Sequence, residues 1–204
     1  MERRESRNNS PEIKNNIFVN YPKGFKSQEK FNRKIRNYTS KIIQPSFSAI
    51  SDPEELLASY CLSNGSTFHQ TEDAANDCTH AILFLDQKSD SSPIATLTKR
   101  NIPQKRIPIK LTTVANKDRG EIFDVYIGRG TAWGNPYPIG REGDREEVLR
   151  KYKYDFDRKL LRFFENHDAN IESIRGKILG CHCKPSACHG DIIADYVNSL
   201  DDGL

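Results

Sequence analysis

The chain has 204 residues, of which 31 are Lys or Arg and 28 are Asp or Glu, so its formal net charge is +3. Its charged residues, 29% of the total, mix both signs along most of the chain, so the concentrated basic surface of a dedicated nucleic-acid-binding protein is not indicated. No run of 18 apolar residues occurs, which excludes a membrane-spanning helix. The length allows one large domain or two small ones.

Residues 1–15 are almost entirely polar, which predicts a disordered tail because such a segment buries too little apolar surface to offset its conformational entropy. The segment contains arginines but no apolar stretch, so it does not form a secretory signal. The chain has five cysteines, and three of them fall within one short segment near its end. An odd, clustered set of this kind is typical of reduced thiols and predicts a cytoplasmic protein.

Residues 16–113 alternate strand patterns with helix patterns. Strands are predicted at residues 17–19, 45–51, 81–85 and 107–111, and helices begin after Ser27, at Pro53, at Thr71 and at Pro93. The run at 81–85 is apolar on both faces, as in a buried parallel strand. The alternation predicts a Rossmann-like open α/β sheet that binds ligands at the carboxyl ends of its strands.

A polar break at residues 114–119 separates this domain from a smaller α/β domain at residues 120–204. Strands are predicted at 124–127 and 178–183, and a loop dense in Gly and Pro follows the first of them. A long helix is predicted from Arg145 to about Phe163 with a solvated outer face, and a last helix buries Ile193 and Val197.

The most distinctive chemical feature is the segment from Gly180 to Asp191, which reads Gly-Cys-His-Cys-Lys-Pro-Ser-Ala-Cys-His-Gly-Asp. Alternation along the strand places Cys181 and Cys183 on one face. Cys188 and His189 fall at the start of the last helix, where free amides and the helix dipole favour a thiolate. The loop offers its amides and the Lys184 ammonium to an anion, so we assign Lys184 and Asp191 to ligand binding.

Three interpretations of this segment stay open. In the first, Cys181 and Cys183 are small buried hydrophobic residues and His189 is a hydrogen-bonded polar residue. In the second, Cys181, Cys183, Cys188 and His189 bind zinc, although their spacing lacks the two C-x2-C pairs of common zinc sites. In the third, Cys183, Cys188 and His189 are catalytic groups beside a small anionic ligand. We expect the third, with reduced, metal-free cysteines and no cofactor.

A second group of candidate residues follows the strand at 124–127. Arg129 offers a partner for an anion, Trp133 a stacking surface, and Asn135 an amide that donates and accepts hydrogen bonds; Gly130 and Gly134 lie between them. Trp133 stands where G-x-G-x-x-G requires glycine, so no dinucleotide fingerprint is present. The alternative is that Trp133 belongs to the core and Asn135 to a turn.

We expect the loop at residues 128–135 to lie beside the loop at 183–189, because the carboxyl ends of parallel strands share one edge of a sheet. Together the two loops offer an anion partner, a ring surface and an amide. This combination suits a nucleobase or a nucleoside as ligand.

Four segments, at residues 125–130, 133–136, 176–177 and 181–191, together resemble the domain of unknown function (DUF) 4326 family of bacteria and phages. The resemblance covers about residues 124–198 and implies a small α/β domain, a bacterial cell or a phage-infected host cell as the setting, and no particular reaction. The Cys-His ending also looks like a related small α/β family in which an Arg follows the His; Gly190 takes that position here.

The first domain is similar to the Rossmann-like nucleotide-binding domains of the lysine-decarboxylase-like and deoxyribosyltransferase-like groups. Residues 77–84, 92–95 and 102–103 carry this similarity, while the Gly-Gly phosphate loop of those groups is absent from the sequence. The similarity implies nucleotides, nucleosides or nucleotide-derived signals as ligands.

We therefore expect the protein to bind or process a nucleotide- or nucleoside-derived small molecule, as a hydrolase or transferase acting at a glycosidic or phosphate centre. One alternative is a non-catalytic module that senses or sequesters a nucleotide signal. Another is a zinc-stabilised nucleic-acid-binding domain, which the dispersed positive charge disfavours. The sequence indicates no oligomeric state.

Overall fold

The computed structural model describes residues 15–76 and 78–203. The predicted disordered tail, residues 1–15, lies outside these ranges except for Asn15. Two parallel sheets follow one another along the chain, one of five strands and one of three. This confirms the predicted fold class, a Rossmann-like open-sheet domain followed by a smaller α/β domain.

The strands are β1 (Asn16–Asn20), β2 (Ser46–Ala49), β3 (Phe68–Gln70), β4 (His80–Leu85), β5 (Gln104–Pro108), β6 (Thr113–Asn116), β7 (Val125–Tyr126) and β8 (Ile178–Cys181). The helices are α1 (Gln28–Thr39), α2 (Leu56–Asn64), α3 (Ser92–Lys99), α4 (Arg145–Asp157), α5 (His167–Ile174) and α6 (His189–Ser199), with short 3-10 turns at Lys117–Arg119 and Arg162–Phe164. Across the described ranges, no helix combines the length and apolarity needed to cross a membrane.

The first sheet has the strand order β3-β2-β1-β4-β5, and every neighbouring pair is parallel. Helices pack on both faces, so the sheet separates two apolar cores. The larger core includes Phe31, Phe47 and Phe84, and the smaller one includes Phe18 and Leu83. Burial on both faces explains why the central strands β1 and β4 are continuous apolar runs.

The helix predicted after Ser27 begins there, at Gln28, whereas the helix predicted from Pro53 begins three residues later, at Leu56, because Glu55 adopts a left-handed conformation with φ +56°. The Ser27 hydroxyl accepts a hydrogen bond from the Lys30 amide, which caps α1. The Asp52 carboxylate accepts hydrogen bonds from the amides of Leu57 and Ala58, at 3.1 and 2.9 Å, at the start of α2. Both helix starts are therefore satisfied by side chains of the first domain.

The helix predicted from Thr71 does not form, and residues 71–76 are turns that follow the short strand β3. The Asp73 carboxylate accepts a hydrogen bond from the Ala75 amide at 2.9 Å and pairs with Arg100 at 2.9 Å. Local bonds between an aspartate and the backbone compete with helix formation, which explains the difference.

The long helix predicted to reach Phe163 ends at Asp157. Lys159 then adopts a left-handed backbone conformation with φ +59°, and the chain turns before the 3-10 segment that contains the buried Phe163. No Gly or Pro marks this turn, so the apolar spacing continues across it and hides the break.

The second sheet has the order β6-β8-β7, again all parallel. Strand β6 occupies the first half of the segment at 114–119 that the sequence analysis treats as a boundary, and a 3-10 turn occupies the rest. The strand is only four residues long and ends at Asn116, too short for alternation to distinguish it from a loop. In the structure the second sheet therefore starts at Thr113.

The carboxyl edge of the first sheet faces the amino edge of the second. A cavity between them is lined by Asp86 and Leu111 on one side and by Asp124 and Ile178 on the other. The Asn198 carbonyl, near the end of α6, also accepts a hydrogen bond from the Lys26 amide at 3.3 Å. The carboxyl edge of the second sheet lies at the opposite end of its strands, away from the first domain.

Candidate functional site

A cavity of about 280 Å³ lies at the carboxyl edge of the second sheet. Its walls come from the ends of β7 and β8, from the loops that follow them and from the first turns of α4. The lining residues are Tyr126, Gly128, Arg129, Asn135, Tyr137, Ile139, Arg145, Val148, Leu149, Cys181, His182, Cys183 and His189. The structure thus brings the loops at 128–135 and 183–189 to one cavity.

Close backbone packing shapes the first of these loops. A Cβ atom at Gly134 would lie 2.6 Å from the Gly128 carbonyl oxygen and 2.9 Å from the Arg129 Cα, so only glycine fits there. His189 Nε2 donates a hydrogen bond to the Ile127 carbonyl at 2.9 Å, which ties the start of α6 to the end of β7. The first contact closes the loop on itself, and the second holds the start of the loop against the first turn of α6.

Three side chains form a buried cluster at the base of the cavity. The sulfur atoms of Cys181 and Cys188 and one ring nitrogen of His189 all lie within 4.8 Å of one another. Since His189 Nε2 donates to a carbonyl oxygen, Nδ1 is the ring nitrogen left for another partner, as a donor when it carries a proton and as an acceptor when it does not. All five cysteines are free thiols, and Cys183 is half-buried beside this cluster.

The two buried thiols differ in acidity. The pKa of the Cys181 thiol is lowered to about 3, first because the Cys188 thiol donates a hydrogen bond to it, with further contributions from His189 and the Cys183 amide. The same hydrogen bond, together with burial, raises the pKa of Cys188. The sequence analysis places the thiolate at Cys188, whereas the hydrogen bond between the two sulfurs favours a thiolate at Cys181. The Gly190 amide, 3.2 Å from the Cys188 sulfur, lowers the pKa of Cys188, but this effect is smaller than that of the hydrogen bond to Cys181.

Cys183 lies beside a cationic group that the sequence analysis missed. Burial raises the pKa of the Cys183 thiol, while a hydrogen bond from the Arg145 guanidinium acts in the opposite direction. Arg145 also donates to the Ala187 carbonyl at 3.3 Å and thereby bridges α4 to the loop. The Asp144 N-cap is the sequence signal that identifies Arg145 as the first helical residue.

Arg129 brings a second guanidinium group to the cavity. It is exposed, and it makes no hydrogen bond or ion pair with any residue that the structure describes. Gly130 follows it with φ +93°, a left-handed conformation that favours glycine. Arg129 therefore keeps its full donor capacity for a ligand.

Trp133 does not line the cavity. It packs against the apolar core of the second domain, and its carbonyl accepts a hydrogen bond from the Tyr152 hydroxyl at 3.0 Å. Its indole Nε1 is a buried donor without a partner among the described residues. The aromatic rings that line the cavity are instead those of Tyr126 and Tyr137, which the sequence analysis did not select.

Asn135 lines the cavity, but its amide is already hydrogen bonded. Its Oδ1 accepts from the Tyr137 amide at 2.9 Å, and its Nδ2 donates to the Val148 carbonyl at 3.3 Å. The side chain thus ties the loop to α4 and holds the backbone at Tyr137, as a turn residue does.

Lys184 and Asp191 lie outside the cavity and form an ion pair with each other. Asp191 also accepts a hydrogen bond from the Cys188 amide at 3.0 Å, while the Cys188 sulfur accepts at the start of the helix, which completes a capping box. In this structure these two predicted ligand-binding residues stabilise the loop and its helix.

His182 directly follows the last residue of β8 and lies at the rim of the cavity. Its Nε2 is 2.9 Å from the Tyr126 hydroxyl, and its Nδ1 is 2.7 Å from the Asp118 carboxylate. The bond from His182 lowers the pKa of Asp118. The place of His182 directly after β8, at the carboxyl edge of the sheet, is the sequence signal for this position.

Two family matches cover most of the chain. Residues 14–115 match the minimal SLOG domain, mSLOG, and residues 112–199 match the domain of unknown function DUF4326. An uncharacterised 12.4 kDa protein in the nrdA-td intergenic region of Enterobacteria phage T4 is 47% identical over 92 residues, which are 45% of this chain and 82% of that protein. No solved structure matches the chain.

These matches agree with the structure, since the two matched ranges meet in β6, where the chain passes from the first sheet to the second. The mSLOG match supports a nucleotide-related role in general terms. The phage relative supports a phage or bacterial setting. The chain belongs to the minimal SLOG family through its first domain and to the DUF4326 family through its second.

Proposed function

We propose that the protein binds a nucleotide- or nucleoside-derived small molecule in the cavity of the second domain. The observation that carries this proposal is the presence of two guanidinium groups, Arg129 and Arg145, and two tyrosine rings, Tyr126 and Tyr137, in one cavity. Guanidinium groups form paired, charge-assisted hydrogen bonds with phosphate, and aromatic rings stack on planar bases.

The remaining wall of the cavity is apolar. Ile139, Val148 and Leu149 line it opposite the cysteine loop. Its volume of 280 Å³ is close to the lower end of the range of about 300–1,000 Å³ that small-molecule sites occupy. A ligand of nucleoside or mononucleotide size therefore suits it better than a dinucleotide.

The first domain offers less room for a phosphate group at its own strand ends. Glu54 accepts a hydrogen bond from the Gly24 amide at 3.0 Å, in the loop after β1, and pairs with Lys26 at 3.5 Å. Asp52 occupies the start of α2 and accepts from the Tyr21 hydroxyl. Carboxylates of the chain thus accept hydrogen bonds from the amides that would bind phosphate in such a fold. This favours the second domain as the binding site.

The reacting groups nearest such a ligand would be Cys181, Cys183 and His189, which line the cavity, whereas Cys188 lies behind its wall. The cavity chemistry supports recognition directly, and the lowered pKa of Cys181 makes its buried sulfur the candidate nucleophile if the ligand is processed. We therefore propose binding as the function, with chemical turnover of the ligand as a further outcome of the same experiment.

The test is calorimetric titration of the full chain with the four common nucleoside 5′-monophosphates and with the matching nucleosides. We expect a monophosphate to bind about 10- to 100-fold more tightly than its nucleoside, since each charge-assisted hydrogen bond contributes about 1.5–3 kcal/mol. Mass spectrometry of the mixture separates a sensor, which leaves the ligand intact, from a hydrolase. Equal affinity for nucleosides and monophosphates, or no binding at millimolar concentration, would refute the proposal.

A further inference from the structure

We infer that Cys181, Cys188 and His189 bind one zinc ion, with the fourth coordination position open toward the cavity of the second domain. The inference goes beyond the proposed function and does not depend on it. It concerns a cluster whose spacing in the sequence argued against zinc, and it depends on the positions that the fold gives to these three side chains.

The first argument is the distance between the ligand atoms. Tetrahedral zinc with bonds of about 2.3 Å to sulfur and 2.0–2.1 Å to nitrogen holds its ligand atoms roughly 3.4–3.8 Å apart. The two sulfurs and the ring nitrogen already lie within 4.8 Å of one another, and all three residues are buried. Rotamer adjustments that shorten the widest separation by roughly 1 Å complete the geometry.

The second argument is the hydrogen bond behind the histidine. Zinc-binding histidines donate their other ring N–H to a carboxylate or a carbonyl, which fixes the ring and its tautomer. His189 makes this contact through Nε2 with the Ile127 carbonyl at 2.9 Å. The ring is therefore held with Nδ1 as the nitrogen left to bind a metal, which takes the place of any proton there.

The third argument is the environment of the sulfur atoms. The Cys188 sulfur accepts the Gly190 amide at 3.2 Å and lies at the positive end of α6. A Cβ atom at Gly190 would come within 3.2 Å of that sulfur, so glycine is the residue that leaves the amide free to approach. Two neighbouring buried thiolates repel each other, and a divalent cation between them removes that repulsion.

The fold also explains the unusual spacing of the ligands. Common zinc knuckles take two cysteines from one turn, hence C-x2-C. Here Cys181 ends β8, whereas Cys188 and His189 open α6 after a tight loop. The carboxyl edge of a parallel sheet brings a strand end and the next helix start together whatever the loop length, so the linear pattern differs while the site is compact.

Cys183 is the obvious candidate for a fourth ligand, and the structure places it differently. It is half-buried, lines the cavity and accepts a hydrogen bond from Arg145. Its sulfur is outside the set of atoms that lie within 4.8 Å of one another. Cys181 and His189 also line the cavity, so the open position of the ion faces the space where a ligand would bind.

The first test measures metal content and requires no ligand. The full chain is incubated with zinc chloride under reducing conditions, gel-filtered and analysed by inductively coupled plasma mass spectrometry. We expect about one zinc per chain, and a more than roughly 100-fold loss of zinc affinity in Cys181→Ser, Cys188→Ser and His189→Ala. Cys61→Ser and His69→Ala, which change residues of the first domain, are the matched controls and keep the zinc. A folded wild-type chain that retains no zinc contradicts the inference.

The second test uses the wild-type chain, so it does not depend on the folding of any ligand variant. Cobalt(II) added to the metal-free protein should give the intense visible bands of four-coordinate cobalt. It should also give a thiolate-to-cobalt charge-transfer band whose absorbance corresponds to two bound thiolates. Cys183→Ser should leave the charge-transfer band unchanged. Weak six-coordinate bands contradict the site, and a three-thiolate band that falls in Cys183→Ser contradicts the open position.

Discussion

The His189 ring donates a hydrogen bond from Nε2 to the Ile127 carbonyl oxygen, 2.9 Å away, and both residues are buried. Ile127 directly follows β7, whereas His189 is the first residue of α6. The bond therefore joins the two sides of the cavity through the strand end and the helix start. Any change that displaces the first turn of α6 is expected to alter the cavity as well.

Gly190→Ala is expected to lower stability by about 1–3 kcal/mol, the usual cost of overpacking a core. The new Cβ would lie 2.7 Å from Ile127 Cδ1 and 3.2 Å from the Cys188 sulfur. The measurement is urea unfolding. Gly65→Ala, at φ +63° with no atom within 4 Å of its Cβ, controls for backbone strain alone. If Gly190→Ala unfolds at the wild-type urea concentration, the close packing of this turn is disproved.

Tyr137 allows the ring and the hydroxyl of a cavity residue to be tested separately. Its hydroxyl donates a hydrogen bond to Asp155, which raises the pKa of Tyr137 to about 12. Tyr137→Phe keeps the ring and should cost about 0.5–1.5 kcal/mol of stability with little change in nucleotide affinity. Tyr137→Ala removes the ring and should weaken binding. Equal affinities for the two variants, measured by calorimetry, would show that the ring does not contact the ligand.

The sequence predicts the fold class and the central strands because these depend on local apolar runs. It also predicts that the loops at 128–135 and 183–189 meet, since parallel strands must share a carboxyl edge. It fails at Thr71, where Asp73 bonds the backbone locally, and at Lys159, where a left-handed residue ends α4 without Gly or Pro. Both failures reflect single-residue backbone choices that leave no periodic signal.

For the candidate site, the sequence predicts which edge of the sheet forms the cavity but not which side chains point into it. Residue type alone suggested Trp133 as the stacking group, yet its side chain packs into the core, and Tyr126 and Tyr137 line the cavity. Arg145 belongs to a helix with mixed charges, and only the three-dimensional position of its first turn reveals that it contacts the cysteine loop. Linear sequence locates the edge of the sheet but does not say which side chains turn toward the cavity.

Arg145→Ala is expected to weaken the binding of a nucleoside monophosphate by about 10- to 100-fold, because one charge-assisted contact with phosphate is lost. Arg145→Lys keeps the charge without the paired donors and should fall between Ala and wild type. Arg150→Ala lies on the same helix, where Arg150 pairs with Glu147 at 2.7 Å, and is the control with unchanged affinity. Equal losses in Arg145→Ala and Arg150→Ala would assign the effect to general charge.

The paired thiols predict a pH dependence of stability in the metal-free protein. The pKa of Cys181 is lowered to about 3, whereas an unfolded cysteine has a pKa of about 8.5. Between these values the unfolded chain binds one more proton than the folded chain, so the stability contributed by Cys181 rises with pH. Above about 8.5 the raised pKa of Cys188 reverses the trend, because the folded state then holds a proton that the unfolded chain releases.

The measurement is the free energy of unfolding in urea, with a chelator present, for wild type and Cys181→Ser from pH 5 to pH 8. The difference between them should grow with pH, with a limiting slope of about 1.4 kcal/mol per pH unit for one proton. Cys61→Ser is the matched control: burial raises the pKa of Cys61 to about 11, so its contribution should stay constant over this range. A constant difference for Cys181→Ser as well would mean that Cys181 stays protonated at neutral pH, and the hydrogen bond from Cys188 would then not favour its thiolate.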